Sequence, residues 1–328
     1  MRGIPVVCSI LVVALCLLPV AASGQEGSTL LSNLSRAEML LYGRESTGSI
    51  MARLSQMEQD LFGKEQQGSI IDRAAKLNAF VGESLREGPS LAFKLASLEW
   101  TLMRSVSQEP LVLKVDRLER LVSGVTSQGS IVSRVEGLIR LCMPQGKVTS
   151  SVVKVPAGTA VKIKLLNGFT SANAKKGDRI EYEVSRDVIV GTEVAIPRGA
   201  RGVAVVKNVQ PAGRLGRDGR VELEIGDVRA FDGTMVKVGL SEDVKRMNES
   251  LQLAVGASVA GFVIFGPIGA LGGFLVEGKD AIVAAGTEMF VAVQKDTEVL
   301  GLTFPGGAEV PSFDIPVVEI KPPAPHNQ

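Results

Sequence analysis

"GSIMARLSQMEQDLFGKEQQGSIIDRA", residues 48–74, holds one complete unit of a pattern and the start of the next. Ser49 supplies a hydroxyl where the free N–H groups of a helix start need an acceptor. Ile50, Leu54, Met57 and Leu61 then follow at spacings of four, three and four, which puts them on one helical face. Gly63 stands just past the last apolar pair, where a left-handed terminating residue is commonly needed. Ser69, with Asp72 three residues on, repeats the start signal.

The same unit recurs on both sides. "LYGRESTGSIMARL", "LFGKEQQGSIIDRA", "VGESLREGPSLAFKL", "LMRSVSQEPLVLKV" and "VSGVTSQGSIVSRV" align with a period of about 20 residues, the signature of a repeat architecture. Gly-Ser pairs begin at 48, 68 and 129, with Gly88 and Glu109 in the equivalent places. Each unit reads as one amphipathic helix of about three to four turns, too short to be stable alone, so it must pack on its neighbours or on another chain. Polar residues also fall in columns: Arg53, Arg73, Lys94, Lys114 and Arg134 near the helix starts, and Glu58, Glu99, Glu119 and Glu136 further along. The expectation for these columns is a solvated face with pairs inside each helix.

Near Pro144 the period changes. "GTAVKIKLLN" alternates, with Val161, Ile163 and Leu165 on one strand face and Lys162 and Lys164 on the other. "DRIEYEVSRDVIVG", "RGVAVVKNVQ", "RVELEIGDVRAF" and "TMVKVGL" read as further strands, with turns at Gly177-Asp178, Asp218-Gly219 and Asp232-Gly233. Short strands at this spacing predict a small antiparallel β-barrel or sandwich, and the chain as a whole an α+β multidomain protein.

"LQLAVGASVAGFVIFGPIGALGGFLV", residues 251–276, then runs without a formal charge. It is long enough to span a bilayer as a helix, but Gly266-Pro267 breaks it. Alternation returns beyond it in "AAGTEMFVAV", which echoes "PAGTAVKIKL" at 156–165. A single crossing would strand that second strand on the far side of a membrane, so the run is expected to be a hairpin inserted into the β-domain. Gly256, Gly261, Gly266, Pro267, Gly269 and Gly273 are its membrane or oligomer residues; the spacing of four from Gly269 to Gly273 permits close helix approach. In "GRLGRDGR", residues 213–220, Arg214, Arg217 and Arg220 alternate with glycine. They are candidates for contact with an anion or a lipid head group, against the plainer reading of a hairpin loop closed at Asp218-Gly219.

The first 24 residues, with Arg2, an apolar run from Ile4 to Leu18 and small residues before Gln25, read as a signal peptide. Its removal leaves 35 basic against 35 acidic residues and one cysteine, Cys142. A balance near zero gives no electrostatic reason to bind nucleic acid. The only histidine, His326, lies in the proline-rich tail, so histidine-based metal sites and Ser-His or Cys-His nucleophiles lack a base or ligand. No cofactor, metal or catalytic residue is expected.

Residues 152–300 resemble a module of exported, poorly characterised bacterial envelope proteins, which pairs a "paGT" strand, a "GD" turn, an "IP-x-GA-x-G" stretch and a "GR-x-GR" loop with a glycine-rich, glycine-zipper-like segment and a second "aGT" strand. Through Ile196, Pro197, Gly199 and Gly202 the β-domain also distantly resembles the barrel of VirB10-like scaffold proteins of secretion machines, which carries an inserted apolar helical element.

The expected organisation is a signal peptide (1–24), helical repeats (25–143), a first part of the β-domain (144–250), the apolar hairpin (251–276), completing strands (277–304) and the tail (305–328). The expected role is non-catalytic: an exported protein of the periplasm or outer membrane, membrane-associated through the hairpin, with the repeats as an interaction or spacer arm. The alternatives are a scaffold subunit of an oligomeric envelope transport or secretion complex, and a polysaccharide-binding module or carboxylate-dependent hydrolase. Partners would be further copies of the chain, a membrane, and other envelope proteins or polymers.

Overall fold

Among the residues described by the computed structural model (22–84, 88–213, 217–255 and 280–304, without the side chains of 22–28 and 249–255), six helices precede the first strand. They are α1 (Ala22–Tyr42), α2 (Ile50–Phe62), α3 (Ile70–Gly82), α4 (Leu91–Met103), α5 (Leu111–Ser123) and α6 (Ile131–Cys142). The expected signal peptide through residue 21, Arg214, the six hairpin residues from Gly256 to Gly273 and the tail lie outside the described residues. Residues 22–24, at the expected cut, are the first of α1.

The local signals act as physical chemistry dictates. The Ser49 hydroxyl accepts from the Ala52 N–H at 3.2 Å, and Ser69 accepts from Asp72 N–H while donating to its carboxylate at 2.7 Å. Gly63 ends α2 at φ 74°, a conformation that costs a side-chain-bearing residue energy. Leu54, Met57 and Leu61 are buried. Because α1 touches α2, α3 and α5, while α2 and α4 both touch α6, the array coils tightly on itself.

The polar columns differ from the expected solvated face. Glu58 is fully buried; it accepts from Arg73 Nε at 3.0 Å and Nη2 at 2.6 Å, and from the Gln66 backbone N–H at 2.9 Å. Glu38 does the same with Arg53 and Ser46, Glu99 with Lys114 and Ser107, and Glu119 with Arg134 and Ser127. Each carboxylate thus binds the N–H eight residues on and the cation fifteen residues on. The pairs run between repeats because a 13-residue helix and its linker return the next helix start to the second half of the previous helix. Burial alone would raise the Glu38, Glu99 and Glu119 carboxyls, but the facing cations and N–H groups hold all three below the usual carboxylate range.

One rung is missing. Asn78 stands where a glutamate would; its Nδ2 donates to Glu83 at 3.0 Å, while its buried Oδ1 has no partner among the described residues. Lys94, the next basic column residue, turns instead to Glu136 on α6 at 2.7 Å.

After a short 3₁₀ turn at 144–146 come fourteen strands among the described residues. These are β1 (Ser150–Val155), β2 (Ala160–Leu165), β3 (Phe169–Thr170), β4 (Arg179–Val184), β5 (Val188–Val190), β6 (Glu193–Ile196) and β7 (Arg201–Gln210). They continue with β8 (Arg220–Ile225), β9 (Val228–Arg229), β10 (Met235–Val236), β11 (Val238–Gly239), β12 (Ile282–Val283), β13 (Glu288–Val293) and β14 (Thr297–Thr303). Helix α7 (Glu242–Val255) separates β11 from β12. All pairings are antiparallel, in a six-stranded sheet ordered β11-β13-β2-β4-β7-β8, a four-stranded sheet ordered β1-β14-β6-β5, and two short pairs, β9 with β10 and β3 with β12. β11 and β8 approach each other at the ends of the larger sheet, which makes it a nearly closed barrel. The fold is α+β: a helical repeat array followed by antiparallel sheets.

The four-stranded sheet belongs to two cores. Val194, Leu300 and Leu302 pack with the helices, whereas Ala195, Ile196 and Val299 pack with the barrel. Phe93 meets Phe231 at 5.4 Å, and Trp100 donates through Nε1 to Asp187 at 3.1 Å. Burial pushes the Asp187 carboxyl up, against the pull of the Arg198 N–H and the Trp100 N–H. The array is therefore docked on the β-domain, which removes the expected spacer arm. The "IP-x-GA-x-G" stretch makes this joint: Val106 N–H donates to Arg198 C=O at 2.8 Å, and a Cβ on Gly199, at φ 86°, would overlap Val106 C=O.

Candidate interaction site at the base of the apolar run

The apolar run begins within α7, and beyond it the described chain resumes at Asp280. The first turn of α7 carries Glu242 and Asp243, which pair with Lys245 and Arg246 three residues on, so these charges cancel on the helix surface. Asn248 fastens α7 to the barrel: it donates to Phe290 C=O at 2.9 Å and accepts from Phe290 N–H at 2.6 Å. That double bond to one backbone residue fixes where the helix leaves the sheet.

At the other end, the Asp280 carboxylate accepts from Ser171 Oγ at 2.7 Å and from the Ala212 N–H at 3.4 Å. Ser171 Oγ in turn accepts from Ala281 N–H at 3.0 Å, and the two backbones exchange a further bond from Ser171 N–H to Ala281 C=O. β13, beyond the run, pairs with β2 from Glu288↔Lys164 to Ala292↔Ala160. Both flanks of the run are thus held on one barrel.

The arginine loop shares this corner. β7 and β8 form a hairpin whose last regular pair is Gln210↔Arg220, and the loop is pinched by a bridge between Gly213 and Arg217, with Gly213 N–H donating to Arg217 C=O at 2.8 Å. The loop therefore closes at 213–217 and not at Asp218-Gly219. Gly219 is required for a different reason: it is buried, and a Cβ there would overlap Ser171 Oγ. Arg217 and Arg220 are exposed; the Arg217 guanidinium folds over Gly213, and Arg220 starts β8. Arg214 and the hairpin residues are outside the described part, so the structure brings only Arg217 and Arg220 to the root of the run.

The chemistry offered here is exposed guanidinium groups beside an uncharged segment. Among the described residues no group of three His, Cys, Asp or Glu side chains could hold a metal ion, and no helix is long and apolar enough to cross a membrane. Cys142, at the end of α6, is a free, half-buried thiol whose pKa burial pushes up. Sequence patterns missed Asn248, Ser171 and Asp280 because single polar residues at strand and helix ends carry no periodicity.

No protein-family model and no curated protein matches the chain. ComB10 of the Com type IV secretion system of Helicobacter pylori is a similar solved structure, with a TM-score of 0.26 and 14% identity over 44% of this chain and 88% of that one. A likeness at that level carries no inference about role.

Proposed function

We propose that this is a non-catalytic, exported cell-envelope protein that attaches to a membrane through the uncharged run, with the β-domain as its holder and the docked helical array as an interaction surface for other envelope components. The observation that carries the reading is the double anchoring of the run, by Asn248 on Phe290 before it and by Asp280 on Ser171 and Ala212 after it. A segment of 26 uncharged residues leaving and re-entering one barrel fits a device that projects apolar surface without disturbing the sheet. Arg217 and Arg220, at the same corner, suit the anionic head groups that border such a surface.

Carbonate-washed membranes from cells expressing the full chain, or a chain with 256–276 replaced by a short Gly-Ser linker, test this. The full chain should stay with the membrane and the replaced chain should be released while keeping its melting temperature. Release of both chains would overturn membrane attachment, and a discrete oligomer of the released full chain would instead favour assembly of a scaffold through the run.

A further inference from the structure

The missing rung at Asn78 lies in the wall of a cleft of about 810 Å³ between the helical array and the β-domain. Met39 and Leu111 line it from the helices, and Phe231 and Met235 from the β-domain. Its ionisable lining, three cations and three carboxylates, is unevenly engaged. Glu83 is engaged by Asn78, Glu109 by Arg117, and Asp232 by Thr234 and the Leu300 N–H; Lys114 is engaged by Glu99. The side chains of Arg36 and Arg229, both exposed on the cleft, have no ion-pair or hydrogen-bond partner among the described residues. An apolar trough with two uncommitted guanidinium groups fits an extended peptide that carries apolar side chains and carboxylates.

The chain carries such a peptide in its own tail. "AEVPSFDIPVVEI", residues 308–320, intersperses Glu309, Asp314 and Glu319 with Val310, Phe313, Ile315, Val317, Val318 and Ile320, and has no basic residue. The strand that leads into the tail touches the cleft wall: Leu300 N–H bonds to Asp232 at 3.0 Å, and four residues on Phe304 packs against Trp100 and Arg104. The nine steps from Phe304 to Phe313 reach about 30 Å when extended, enough to double back over those four. We infer that residues 308–320 occupy the cleft of their own chain, with Asp314 and its neighbouring carboxylates facing Arg36 and Arg229.

This stands independently of membrane attachment. The test is photo-crosslinking in the full chain with benzoylphenylalanine in place of Phe313, followed by mass spectrometry. Crosslinks within one chain to peptides containing Met39 or Met235 are expected. The yield should fall about fivefold or more in R36E/R229E at unchanged melting temperature, given what two exposed pairs contribute. E309Q/D314N/E319Q should give the same fall without touching the folded surface. Crosslinks only outside the cleft, crosslinks between copies, or yields indifferent to both sets of substitutions would overturn the inference.

Discussion

Replacing Glu58 by alanine removes one whole rung of the repeat ladder. Three hydrogen bonds disappear, from Arg73 Nε, Arg73 Nη2 and the Gln66 N–H, and a guanidinium whose side chain is only 8% exposed is left without its partner. Breaking a buried pair from one side costs about 3–5 kcal/mol, because the remaining charge stays desolvated. Arg73 has one escape: exposed Glu65 lies 3.9 Å away and can take over part of the charge. That places the expected loss near the lower figure, about 3 kcal/mol. With a urea slope of about 3 kcal/mol per molar, the unfolding midpoint should fall by about 1 M. Urea titration of the mature protein followed by circular dichroism reads this directly. The double change Glu58→Met with Arg73→Met removes both charges and fills the space with apolar atoms, and should lie within about 1 kcal/mol of the parent. A midpoint shift under about 0.3 M for E58A, or a double variant as unstable as the single one, would refute the buried-rung account.

Melting temperature should be level above the ordinary carboxylate range of about 4.3 and fall as pH drops through the lowered values of Glu38, Glu99 and Glu119. Asp187, raised in the folded state, works in the opposite direction, so a melting temperature that rises on acidification would mean that it outweighs the three glutamates. D187A leaves the Trp100 and Arg198 N–H groups unpaired and should cost about 2–3 kcal/mol, with a red shift in emission from Trp100, the one tryptophan. G199A meets both an unfavourable φ of 86° and Val106 C=O, so it should lower stability by about 2 kcal/mol or more and give the same red shift; an unshifted emission would show the joint intact.

The elements were legible where the cause is local. Ser49, Ser69 and Gly63 act within three or four residues, and Val161, Ile163 and Leu165 alternate along one strand, so the α+β division follows from spacing alone. The rungs were not legible, since Glu58 and Arg73 are 15 residues apart, well beyond the reach of pairs along a helix. β14 gave no clean alternation because Val299 faces the barrel while Leu300 and Leu302 face the helices. At the candidate site, "GRLGRDGR" announced a loop, but the reason for Gly219 is Ser171, 48 positions earlier in the chain and invisible to any local rule.

The docking of α4 also sets an order in time. A chain that emerges N-terminus first can close the Glu38 and Glu58 rungs as soon as Arg53 and Arg73 appear. α4 closes its own rung, Glu99 with Lys114, but its side toward the β-domain has no such local resolution: Phe93 waits for Phe231, Trp100 for Asp187, and the rest of that surface for Leu300 and Leu302. At ordinary synthesis speed, the roughly 200 residues between Trp100 and Leu302 take about 10–40 s, during which the β-domain-facing side of α4 is uncovered apolar surface. For that interval its surface has the character that holding chaperones recognise, and β14, the last of the described strands, completes its conversion into core.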